Sequence, residues 1–255
     1  MKHILIALLL CSTLALTFPV QGAGSAPGKV LFVVAHKDFY FQEYEDPRRA
    51  LETAGYQTVV TSTQGQCVPH ANSGQGDHDG ILKTDVLLKD AKAADYRAVV
   101  IVGGWGASMF QPAFTGKYQN GEYNLSEADR KAFNDLIAAF VAEDKIVSAI
   151  CHGSASLAWC RVGGVSPLKG RKVVGYQGGG PGYTLAGKDF ADNQQPTRWH
   201  ITENGGNWLP ANSVGDPSTD ADDVVVDGRI VTAQNYNSAR RFGEELVAVL
   251  QKSGK

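Results

Sequence analysis

The chain has 255 residues, a formal charge of −2 at neutral pH, 43% hydrophobic and 20% charged residues. That length and balance suit one substantial α/β core or two small domains. Near-neutrality, with no run of Lys or Arg, excludes the electrostatic footprint of a nucleic-acid-binding protein.

Met1-Lys2-His3 precede an apolar stretch from Ile4 to Phe18, and small residues follow at Gly22-Ala23-Gly24-Ser25-Ala26. A short positive start, an apolar run of about 15 residues and a small-residue end form an export signal rather than a membrane span. Cleavage near Ala23 or Ala26 divides the chain into a signal peptide over 1–26 and a single domain over 27–255. The mature protein is expected in a periplasm or outside the cell, with no membrane association once the signal is removed. Cys11 is a poor lipid-attachment site, because Leu8-Leu9-Leu10 before it lacks small residues.

Lys29 to Ala35 is a continuous apolar run rich in β-branched residues, as in a strand buried on both faces of a parallel sheet. A helix is expected from Glu43 to Ala54, with Pro47 tolerated only in its first turn. Gly55 ends it, and Tyr56 to Ser62 is the second strand, completing a right-handed βαβ unit. Gln64 to Asp85 reads as a loop. It contains Cys67, His70 and His78, at a spacing that matches no tetrahedral zinc pattern, so no metal is expected. A helix-like piece, Val86 to Ala94, leads to a buried strand from Tyr96 to Val102 that ends in Gly103-Gly104. Paired glycines at the C-terminal edge of a parallel sheet let a ligand approach backbone amides. No G-x-G-x-x-G spacing or P-loop lysine accompanies them, so no nucleotide cofactor is implied.

Gln111 to Asn124 reads as a loop or lid. Ser126 caps an amphipathic helix running to Glu143, whose stripe of Phe133, Leu136, Ile137, Phe140 and Val141 faces the core. Next comes Val147-Ser148-Ala149-Ile150-Cys151-His152-Gly153-Ser154-Ala155. A buried strand that turns abruptly into a helix, with a Cys on the turn and small residues around it, has the layout of a nucleophile elbow. The helix start favours thiolate, the reactive form. Further on, Arg171 to Tyr176 reads as a strand and Gln177 to Ala186 as an irregular loop. Asp189 to Trp199 is ambiguous. Val224 to Thr232 is a hairpin with an Asp227-Gly228 turn, and Ser238 to Lys252 is the closing helix.

Removing the signal leaves Cys67, Cys151 and Cys160. An odd number in an oxidising compartment means a pair plus a free thiol, or no pair. If Cys151 is the working thiol, a Cys67–Cys160 disulfide leaves it free; Cys160 equally fits an unpaired core position. A thiol nucleophile also needs a proton partner. His152 is adjacent and His200 distant, while Glu43 and Glu45 follow the first strand on the same sheet edge as Cys151.

These features together resemble the ThiJ/PfpI superfamily, with its class I glutamine-amidotransferase-like fold. The matching residues are the opening strand, Glu43 ahead of Pro47 and Gly55, the strand ending in Gly103-Gly104, the Ala149-Ile150-Cys151-His152-Gly153 elbow, and the Val226-Asp227-Gly228 hairpin before the last helix. The resemblance implies a flavodoxin-like three-layer α/β sandwich with a mostly parallel sheet, helices on both faces and a β-hairpin near the C-terminus. It assigns Cys151 as the reactive thiol, Glu43 as the carboxyl beside it, His152 as a catalytic partner, and Gly103, Gly104 and His152 to the oxyanion and substrate. Asp189 is the acidic third member that the resemblance offers. It implies an enzyme without cofactor acting on a small molecule: a glyoxalase III-like lyase for reactive carbonyls, or a hydrolase of amides or peptides. A non-enzymatic redox-sensing or chaperone-like protein using Cys151 oxidation is the alternative, and a homodimer is the assembly the family suggests. Two departures stand out. Tyr176 lies where some members carry a His, and His200-Ile201-Thr202-Glu203 is not the His-x-Glu of glutamine amidotransferases.

Overall fold

A computed structural model describes residues 28–253. The expected signal peptide over 1–26 lies outside the described residues. Seven strands form the central sheet: β1 (Lys29–Val33), β2 (Gln57–Ser62), β3 (Val86–Leu87), β4 (Ala98–Ile101), β5 (Ile146–Ile150), β6 (Val224–Asp227) and β7 (Ile230–Ala233). Their spatial order is β6-β7-β5-β4-β1-β2-β3. Every pairing is parallel except β6 with β7, the predicted hairpin. Apolar β-branched runs such as Val30 to Val33 and Ala98 to Ile101 are fully buried because both faces of the sheet are covered.

The described residues form five α-helices, α1 (Phe41–Thr53), α2 (Glu127–Ala142), α3 (His152–Ala158), α4 (Thr197–Glu203) and α5 (Ala239–Ser253); α1, α2, α3 and α5 pack on the sheet and α4 packs on α3. Helices α1 and α5 pack together closely. A Cβ on Gly243 of α5 would lie 2.7 Å from Pro47 Cα and 2.8 Å from Ala50 Cβ of α1. Helix α2 packs on β4 and β5 with Phe133, Leu136, Ile137 and Phe140 inward, and Ser126 caps it through Asp129 N–H at 3.1 Å. This is the flavodoxin-like sandwich that the sequence implies.

Several elements differ from expectation. Helix α1 starts two residues early, so Pro47 sits in its second turn. A proline has no N–H, so the Glu43 carbonyl receives no donor from position i+4. Val86–Leu87 is an edge strand paired with Thr61 and Ser62, followed by short 3₁₀ turns rather than a helix. The Gln64–Asp85 segment contains strand pieces Gln66–Pro69 and Leu82–Lys83. Its Ser73 caps α1 from a distance: Phe41 N–H donates to Ser73 Oγ at 3.2 Å and Gln42 N–H to Ser73 O at 2.9 Å. The expected strand at 171–176 shrinks to Lys172–Val173, and residues 183–185 pair with Lys188–Phe190 and with Lys117–Tyr118 as a small outlying sheet.

Cys67 and Cys160 form no disulfide. Cys67 is buried with its sulfur 3.9 Å from Val34 O, and Cys160 turns back to Ser156 O at 3.7 Å. The two thiols are engaged with different backbone carbonyls. Among the described residues, no helix is long and apolar enough to cross a membrane, and no group of three or more His, Cys, Asp or Glu is placed to hold a metal.

Candidate active site

Strands β1, β2 and β3 run to one side of the sheet, while β4, β5 and β7 run to the other. The direction of winding therefore reverses between β1 and β4, and ligands of doubly wound sheets bind at the C-terminal edge of such a switch point. Glu43 follows β1, Gly103 and Gly104 follow β4, and Cys151 follows β5. The topology alone brings them to one edge.

Cys151 sits between β5 and α3 at φ 59° and ψ −126°, a conformation L-residues rarely adopt and one that costs about 1–3 kcal/mol. The position is held from both sides. Its N–H donates to Ala233 O of β7 at 3.0 Å, and its carbonyl accepts from Ser154 N–H at 3.2 Å. Gly153 cannot be larger, because a Cβ there would lie 2.5 Å from Ile101 O. The turn lifts the sulfur into a cavity of about 220 Å³ lined by Glu43, Gly104 and His152 among others.

His152 is buried, and its ring is placed by two contacts: Nε2 is 3.3 Å from Gly179 O and Nδ1 is 3.4 Å from Cys151 Sγ. A carbonyl only accepts, so Nε2 carries the ring proton and the Nδ1 lone pair faces the thiol. Burial lowers the His152 pKa to about 4. The ring is thus a neutral acceptor at physiological pH rather than a standing cation.

Glu43 is fully buried. Its carboxyl meets the Cys151 side chain, and neither oxygen has any other hydrogen-bond partner. Burial pushes its pKa up to about 8, the Cys151 contact acting against that rise. Burial, and then the Glu43 charge, push the Cys151 thiol up, while the Gly104 and His152 amides pull it down. We assign the shared proton to Glu43 near neutrality. A protonated carboxyl removes the charge repulsion and donates O–H to sulfur, so a thiolate there receives three donors. Gly103 is the spacer that permits the contact: a Cβ on it would lie 2.1 Å from Glu43 Oε2 and 2.6 Å from Cys151 Cβ. Its amide is not among the groups acting on the thiol; that of Gly104, at φ 90°, is.

The remaining candidates fall elsewhere. Asp189 is exposed in the outlying sheet, with its carboxylate accepting from Thr184 Oγ1. The partner behind His152 is the Gly179 carbonyl, so the expected acidic third member is replaced by backbone. Glu45 pairs with Arg48 and Arg49 on α1. His200 is buried among aromatic rings, accepting from Trp159 Nε1 at 3.0 Å. Sequence reasoning passed over Tyr40, His70, Trp105 and Tyr236, which complete the cavity together with Tyr176. They come from connections far apart in the chain, and only their place just beyond strand ends signals them.

A larger hollow of about 570 Å³ lies by the 111–125 segment. It contains no thiol or carboxylate, so the candidate nucleophile belongs to the smaller cavity.

Comparison with known proteins fits this geometry. The model of the DJ-1/PfpI family matches residues 28–115 and 121–249. This chain belongs to the DJ-1/PfpI family. It is 28% identical over 254 residues to an uncharacterised protein of Methanocaldococcus jannaschii, covering 99% of this chain and 97% of that one. It is also 28% identical over 226 residues to general stress protein 18 of Bacillus subtilis, covering 88% of this chain and 99% of that one. The solved structure of glyoxalase III from Candida albicans superposes with a TM-score of 0.62 at 20% identity, covering 88% of this chain and 98% of that chain. That likeness shows a shared fold.

Proposed function

We propose that this DJ-1/PfpI protein is a cofactor-independent cysteine enzyme that converts small 2-oxoaldehydes to 2-hydroxy acids. The observation that carries the reading is the Glu43–Cys151–His152 group. A strained thiol lies between a carboxyl that keeps its proton up to about pH 8 and a neutral imidazole acceptor.

The Cys151 thiolate adds to the aldehyde carbon, forming the S–C bond as the carbonyl π electrons move to oxygen. The Gly104 and His152 amides stabilise the oxyanion, and Glu43 protonates it. His152 Nδ1 removes the hydrogen from the former aldehyde carbon as a proton, leaving an enediolate with its charge on the neighbouring oxygen. The Glu43 carboxylate moves the hydroxyl proton from the first oxygen to that neighbouring one, and His152 returns its proton to the neighbouring carbon, which leaves a thioester of the 2-hydroxy acid. Water then attacks the thioester carbonyl, the C–S bond breaks, and the acid leaves with the thiol restored. The balance is 2-oxoaldehyde plus water to 2-hydroxy acid, with no external oxidant or reductant. The fold shared with glyoxalase III of Candida albicans supports this class of reaction.

A second reading draws on the same protonated carboxyl. Glu43 beside sulfur would also stabilise Cys151 as a sulfinate after peroxide oxidation, as in a redox sensor. One assay separates the two: 2-hydroxy acid formation from methylglyoxal by wild type and Cys151→Ala. Turnover that disappears in the variant supports the enzyme. Its absence in wild type, together with stoichiometric peroxide oxidation of Cys151, supports the sensor. The N-terminal pattern supports export, which N-terminal sequencing of the protein from a periplasmic fraction would test.

A further inference from the structure

The Cys151 cavity is bordered by three phenols and an indole, with no Lys or Arg in its lining. Tyr40 and Tyr236 stack face to face, their centroids 5.1 Å apart and their planes 13° from parallel. Tyr40 precedes α1 and Tyr236 opens the turn after β7. Gln42 Nε2 donates to Tyr236 O at 3.3 Å, so the two connections are tied together. Tyr236 remains 38% exposed, an aromatic ring half in water at the mouth of an apolar cavity. Tyr176 forms the third side, its ring 5.0 Å from the His152 ring. Tyr40 and Tyr176 both lie within electrostatic reach of Cys151, Glu43 and Tyr236.

This lining has a definite chemical preference. An aryl or alkyl group entering it exchanges water for ring faces and edges. A carboxylate or phosphate would lose its hydration shell and find no guanidinium or ammonium group, only the amides aimed at the reacting oxygen, the phenol hydroxyls, the Trp105 N–H and the His70 ring, with the Glu43 carboxyl close by. At about 220 Å³ the space suits a small molecule. We propose that Tyr40, Tyr176 and Tyr236 form an aryl subsite, which makes uncharged 2-oxoaldehydes with an aromatic or apolar substituent the preferred substrates over 2-oxo acids and phosphorylated carbonyls. The word substrate rests on the enzyme reading above; the subsite does not.

The test therefore begins with alkylation, which needs no turnover. N-phenyl iodoacetamide, iodoacetamide and iodoacetate are reacted with wild type, Tyr236→Ala and Tyr236→Phe, and modification is read at the Cys151 peptide. Each rate is divided by that of free cysteine with the same reagent. In wild type the aryl reagent should exceed iodoacetamide by about tenfold, and iodoacetate should fall about tenfold below it, the scale of one aromatic contact and one desolvated charge. Tyr236→Ala should bring the aryl-to-plain ratio close to one, and Tyr236→Phe should keep it. Equal normalised rates for all three reagents in wild type would overturn the proposal whatever the variants do. An aryl preference that survives Tyr236→Ala would do the same. Turnover of phenylglyoxal, methylglyoxal and glyoxylate completes the experiment. Selective alkylation without turnover supports the subsite and sinks the enzyme reading, and turnover that favours glyoxylate sinks the subsite.

Discussion

His152 and His200 are both buried histidines on short neighbouring helices, and burial lowers both, to about 4 and about 3. Their surroundings have little else in common. His200 is enclosed by Phe114, Tyr183 and Trp199, and its Nδ1 is already occupied by the Trp159 indole N–H. His152 spends one nitrogen on a backbone carbonyl and leaves the other facing a thiol. The cysteines repeat the contrast. Cys160 is neighboured by a backbone carbonyl, which only accepts, and Cys67 by a carbonyl and the Ser62 and Thr84 hydroxyls, whereas the Cys151 sulfur is approached by two amides and a carboxyl that holds its proton. A perturbed pKa is thus common to core and site. What separates them is a spare lone pair or proton next to a nucleophile on strained backbone.

The largest expected effect tests the cysteine contrast. Cys151→Ala should lower turnover by at least about 10³-fold, since the covalent route is lost, while Cys160→Ala should stay within a few-fold of wild type in the same assay. Comparable losses in both would erase the distinction.

The histidine pair comes next, with opposite signatures. His152→Ala should cut kcat by about 10²–10⁴-fold, as expected for loss of a proton-transfer group, with a small change in urea midpoint. His200→Phe should do the reverse: activity is retained, and stability falls by about 1–3 kcal/mol because the Trp159 N–H is left buried without an acceptor. A stable, inactive His200→Phe would place His200 in the chemistry.

Glu43 gives the subtlest readout, in pH dependence. Its folded pKa, about 8, exceeds the ordinary 4.5, so the folded state binds the proton more tightly than the unfolded chain does. Stability should fall as pH rises from about 4.5 to about 8 and level off above, a span of roughly 4–5 kcal/mol at most. The lowered values of His152 and His200 act at the other end, removing stability as pH drops from 6.5 toward 4. In Glu43→Gln the alkaline decline should shrink, leaving the variant more stable than wild type at pH 9 and less active at pH 7. Urea unfolding at pH 5.5, 7 and 9 measures this, and parallel curves for the two proteins would refute the assigned proton.

The sheet was legible because buried parallel strands are written as continuous apolar runs, as in Val30 to Val34 and Val99 to Val102. The elbow was legible because small residues must surround Cys151. The local pattern showed Glu43 as one of two glutamates, and the family resemblance alone singled it out; the buried environment that separates it from Glu45 is made by residues distant in sequence. Val86–Leu87 read as helix because two residues carry no period, and their strand state comes from Thr61 and Ser62 alongside. Asp189 failed because a carboxyl's reach depends on how the 177–199 segment folds, and that segment follows tertiary contacts with Lys117 and Tyr118 rather than local pattern. The stacked tyrosines left no pattern at all, since Tyr40 and Tyr236 meet only when both ends of the domain are in place.

The bond from Cys151 N–H to Ala233 O has a temporal consequence. Strand β7 is among the last elements to leave the ribosome, and β5 has no neighbour on that side until it arrives. A nascent chain that already contains Cys151 therefore carries an ordinary cysteine, without the strained turn, amides and carboxyl that surround it in the fold. The site around the thiol comes into being with completion of the fold, and a chain cut before residue 230 should react at that position as free cysteine does and show no turnover.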